Sequence, residues 1–104
     1  PLEIYQAKKI ISSYVTCTPL FKAYALSDRF DSEIWCKMET MQSTGAFNLS
    51  SATNAILRLN EDQRKRGVVA VSKGNHIHGV LYAAREQGLR SVICLFSLVA
   101  ENKV

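Results

Sequence analysis

The stretch Gly67-Val68-Val69-Ala70-Val71-Ser72-Lys73-Gly74-Asn75-His76-Ile77-His78-Gly79-Val80-Leu81-Tyr82-Ala83-Ala84 decides the fold. Val68 to Val71 is a short run that is apolar at every position, which predicts a strand buried on both faces. Beyond the polar turn, Ile77, Val80, Leu81 and Ala84 recur at i, i+3, i+4 and i+7, so a helix is expected over about Asn75 to Gln87. Gly88 closes that helix, and Ser91 to Phe96 reads as another buried strand. Strand, turn, helix and strand make a βαβ unit with parallel strands and a right-handed crossover.

Working outward, Ala52, Ala55, Ile56 and Leu59 mark one face of a second helix from near Phe47 to Leu59. Glu61 to Arg66 adds a further turn, and Gly67 ends it as glycine often ends helices. Glu33 to Met38 reads as a strand with Ile34, Trp35 and Cys36 at its centre, and Trp35 is expected in the core. The polar loop Glu39 to Gly45 follows. Near the start, Ile4, Ala7, Ile10, Ile11 and Tyr14 have helical spacing. Thr18-Pro19 breaks it, because the residue before proline disfavours the helical region. Ala23 to Phe30 is expected to form a short helix. The order from residue 33 is strand–helix–strand–helix–strand. The expected fold class is therefore α/β: a small three-layer α/β/α domain, 1–104 as a single domain, with a short, mainly parallel sheet of about three strands.

Composition narrows the function classes. The 104 residues are 47% apolar and 21% charged, which suits a folded soluble chain and not a disordered one. No apolar run approaches the roughly 20 residues that cross a bilayer, and no signal-peptide pattern opens the chain. Net charge is +4, but the basic residues are scattered. Arg64-Lys65-Arg66 follows Glu61 and Asp62 and reads as a helix end, so no nucleic-acid partner is expected. Cys17, Cys36 and Cys94 are odd in number and widely spaced. They read as reduced thiols of a cytoplasmic protein, with Cys36 and Cys94 acting as small hydrophobes.

In open parallel sheets, ligands bind beyond the carboxyl ends of the strands. Two polar loops lie there, Glu39 to Phe47 and Ser72 to His76. The second is either an anion-holding strand-to-helix turn or an ordinary tight turn. His76 and His78, at i and i+2, do not share a helix face, and no third ligand is evident, so no metal site is expected. Lys73 reads as an exposed loop lysine. Ile77 and Leu81 are either core contacts or an exposed binding stripe.

Several blocks together carry a resemblance. They are Thr18-Pro19-Leu20, Met38-Glu39, Ser43-Thr44-Gly45-Ala46-Phe47, Ser72-Lys73-Gly74-Asn75-His76, Val92-Ile93 and Glu101-Asn102-Lys103. In type and spacing they resemble the pyridoxal-phosphate-dependent threonine dehydratase and serine racemase family of fold type II, over nearly the whole chain. A hydroxyectoine-utilisation dehydratase is the subgroup they suggest. The resemblance implies that Phe47 lies beside the cofactor ring and that Asn75 hydrogen-bonds its 3′-oxygen. It implies that Thr44, Ser72, Asn75 and His76 hold the substrate carboxylate. It also puts the Schiff-base lysine at the position that here is Asn48.

An amide is neither an amine nucleophile nor a useful base. The family's following Arg-Gly is replaced by Ser50-Ser51, and its glycine-rich phosphate loop does not occur in the sequence. Lys73, Ile77, His78, Leu81, Phe96 and Ala100 also depart from the family's usual residues. The expectation is a catalytically inactive, truncated and engineered domain that acts as a scaffold or protein-binding module and holds no cofactor. Phe47, Asn48 and Asn75 would be vestigial cofactor contacts, and Thr44, Ser72 and His76 vestigial substrate contacts. A protein partner or a homodimer is expected through the former cofactor face at Ile77, Leu81 and Phe96. The alternative is a fragment of a pyridoxal-phosphate-dependent ammonia-lyase that retains part of its site.

Overall fold

The computed structural model describes residues 1–95. In chain order it contains α1 (Leu2–Ile11), β1 (Leu20–Lys22), α2 (Tyr24–Phe30), β2 (Trp35–Lys37), a 3-10 turn (Glu39–Met41), α3 (Asn48–Leu57), α4 (Glu61–Arg66), β3 (Val68–Val71), α5 (Asn75–Glu86) and β4 (Ser91–Cys94). The α/β class expected from the sequence holds. None of these helices is long and apolar enough to cross a membrane.

The βαβ unit forms as read. β3 and β4 pair in parallel, with Val68 opposite Ser91 and Val71 opposite Cys94. α5 crosses between them, and its apolar stripe packs with α3. Ala52, Ile56, Val80, Ala83 and Ala84 are the buried cluster, and Val68, Ala70, Leu89 and Ile93 pack against it. Alternation along each strand makes this possible: Val68, Ala70 and Ile93 face the helices, while Val69, Val71 and Val92 point the other way.

Gly79 sets the approach of the two helices. A Cβ at Gly79 would lie 3.0 Å from the Asn48 carbonyl oxygen and 3.2 Å from the Leu49 nitrogen. Further along, Thr53 and Ile56 meet Tyr82, Ala83, Glu86 and Gln87. Contacts thus advance together along both helices, so α3 and α5 run parallel and begin at the same end of the molecule.

Several expectations are corrected. The sheet is not one parallel sheet of three strands: β2 pairs antiparallel with β1, Phe21 opposite Cys36, in a separate two-stranded sheet. The segment after Thr18-Pro19 supplies a nearby extended partner, and β2 is satisfied there. Nor are there three layers among the described residues, since one face of β3–β4 is exposed. Trp35 is half exposed rather than core, because it lies on a two-stranded ribbon. The extra turn after α3 is a helix of its own. Asn60 starts it with a reciprocal capping box: its Oδ1 accepts from the Gln63 N–H at 2.9 Å and its N–H donates to Gln63 Oε1 at 2.9 Å. Glu61 and Asp62 then sit in the first turn and Arg64, Lys65 and Arg66 in the last, as the helix dipole favours.

A polar knot ties the segment before β1 to the loop before α3. Gln42 is buried, and its Oε1 accepts from the Thr16 N–H at 3.0 Å while its Nε2 donates to the Thr16 carbonyl at 2.8 Å. Thr18, also buried, donates to Glu39 Oε1 at 2.6 Å, and Lys37 Nζ donates to the Thr18 carbonyl.

Candidate functional site

The end where α3 and α5 begin is the carboxyl end of β3, where the sequence placed ligand-facing loops. The loop into α3 turns at Gly45, whose φ of +69° suits glycine. Thr44 is half-buried there, with its hydroxyl 3.4 Å from the Ala46 carbonyl. Ala46 is buried, which roots the loop, and Phe47 beside it is 65% exposed. Asn48 is the first residue of α3, and its carbonyl accepts from the Ser51 hydroxyl at 3.0 Å.

In the second loop the Ser72 hydroxyl accepts from the Gly74 N–H at 3.3 Å, closing a short side-chain turn. Asn75 and His76 open α5, and both are exposed. Gly79 meets Asn48, so Asn75 stands four residues, roughly 6 Å of helical rise, beyond it. The two loops expected to act together therefore do share one end of the fold.

The expected substrate contacts do not share one pocket. His76 lines an open groove of about 540 Å³ with Ser51, Ala55 and Val71. Thr44 lines another, of about 430 Å³, with Ser43, His78, Leu81, Tyr82 and Arg85. Two residues on a helix turn about 200°, so His76 and His78 look into different grooves. The sequence reading did not place Tyr82 or Arg85 near Thr44. Their spacing from His78 along one helix face was the available signal.

The candidate interface is also redrawn. Ile77 is buried at 3% exposure and belongs to the core. It points inward because it shares the stripe of Val80 and Ala84. Leu81 is partly exposed, and Phe96 lies outside the described residues. Cys94 is exposed and not a packed small hydrophobe, because it sits on the uncovered face of β4. No cluster of three metal-ligating side chains occurs among the described residues.

These side chains offer hydroxyls, a carboxamide at Asn48 and imidazoles. No lysine lines either groove among the described residues. The set can hydrogen-bond a small polar ligand, but it supplies no groove-lining amine to hold a carbonyl cofactor covalently. At Asn48, where the resemblance puts the Schiff-base lysine, the carboxamide does not fit a covalent link to a pyridoxal cofactor.

A family model for pyridoxal-phosphate dependent enzymes matches residues 11–104. The L-threonine ammonia-lyase of Thermotoga maritima is 41% identical over 93 residues, which is 89% of this chain and 23% of that protein. Maize serine racemase superposes with a TM-score of 0.82 at 33% identity, covering 88% of this chain and 29% of its own. The serine racemase of Dictyostelium discoideum superposes at 0.84 and 31% identity, over 90% and 31%. The chain spans under a third of the length of these relatives. With matching sequence over nine-tenths of its length and a matching fold, the chain belongs to the family of pyridoxal-phosphate dependent enzymes.

Proposed function

We propose that this chain is a threonine dehydratase-like member of the family that does not carry out the family's reaction and serves as a scaffold or protein-binding module. The observation that supports the reading is Asn48, a carboxamide in the first turn of α3 where the resemblance puts the Schiff-base lysine. When bound, the cofactor supplies an electron sink for a carbanion. Asn48 offers it no covalent tether, and no base to move an α-proton. What Ser72, Asn75 and His76 retain is the ability to hydrogen-bond and orient a small polar group at the start of α5. Nothing in this reading requires an engineered origin.

The test is ammonia and keto-acid release from L-threonine and L-serine with added pyridoxal phosphate. No release above buffer background is expected, and release above it sinks the reading. Borohydride reduction should trap cofactor only at low occupancy, spread over surface amines that include Lys73. A second reading, favoured by the chain's spanning under a third of its relatives, is a piece of a longer lyase that keeps part of the cofactor and substrate site. A reduced adduct mapped to a single lysine at high occupancy and low cofactor concentration would support it over the first.

A further inference from the structure

We draw no further inference here: the strongest candidate, the open groove between the loop into α3 and the helix α5 that is lined by Ser43, Thr44, His78, Tyr82 and Arg85, belongs to the site already described, and none of its polar side chains is buried.

Discussion

Asn48 and Gly79 meet through backbone, so the residue that matters structurally at this contact is the glycine. With a Cβ 3.0 Å from the Asn48 carbonyl oxygen, either α3 or α5 must move. Gly79→Ala should lose about 1–3 kcal/mol, as overpacking typically does, measured by urea denaturation. At Gly74, by contrast, a Cβ meets nothing within 4 Å, and only its ψ of −145° favours glycine. Gly74→Ala should therefore cost less than Gly79→Ala, about 1 kcal/mol or less in the same assay. Gln42 is the other sensitive residue. Gln42→Ala removes both part-buried bonds to Thr16 and the 3.3 Å bond to Glu39 Oε2, three bonds from one buried side chain. A loss of about 1–3 kcal/mol is expected in the same assay.

At the scale of elements, α4 shows how a short helix can be self-sufficient. Its six residues bury no side chain, so packing contributes little and the ends decide. Asn60→Ala breaks the capping box, and helix stability should fall by about 0.5–2 kcal/mol. The loss should appear locally, as faster amide exchange at Arg64 and Gly67, whose N–H groups bond to Asn60 and Gln63. Exchange within α5, which owes its place to the core, should stay unchanged. If both helices exchange faster together, α4 is coupled to the core and the account of it as self-capped is wrong.

Across the whole molecule, many large apolar side chains stay outside the core. Leu20, Phe21, Tyr24, Phe30 and Trp35 are all more than half exposed on the ribbon and α2. The radius of gyration is 16.4 Å, against about 13 Å for a compact chain of 100 residues. The ribbon thus extends from the α3–α5–sheet core, and the Thr16–Thr18–Glu39–Gln42 knot closes its base in the loop before α3. Trp35 is the chain's one tryptophan and reports on this directly. Its fluorescence in the native chain should be strongly quenched by iodide, nearly as in urea. Protection from iodide at low protein concentration would mean that the ribbon is covered.

The sequence by itself determined what depends on neighbours along the chain. Helical spacing in residues 75–87, a strand at Val68 to Val71, and Gly67 as a stop read correctly because each expresses a local backbone preference or a single amphipathic face, but the expected burial of that strand on both faces did not hold, since Val69 and Val71 are exposed. The family blocks were equally readable, since they are residue types at fixed separations. Tertiary structure alone decided what depends on partners across the chain. Trp35 looked like core because a strand centre usually has a second layer above it, and here β2 found β1 instead. Ile77 and Leu81 differ by one turn, yet only the position of α3 buries the first and leaves the second half open. Thr44 and His76 belong to one motif set in sequence, but α5 stands between them. Pairing and layering are properties of surfaces brought together in space, and a one-dimensional pattern states only that a surface exists, not what covers it.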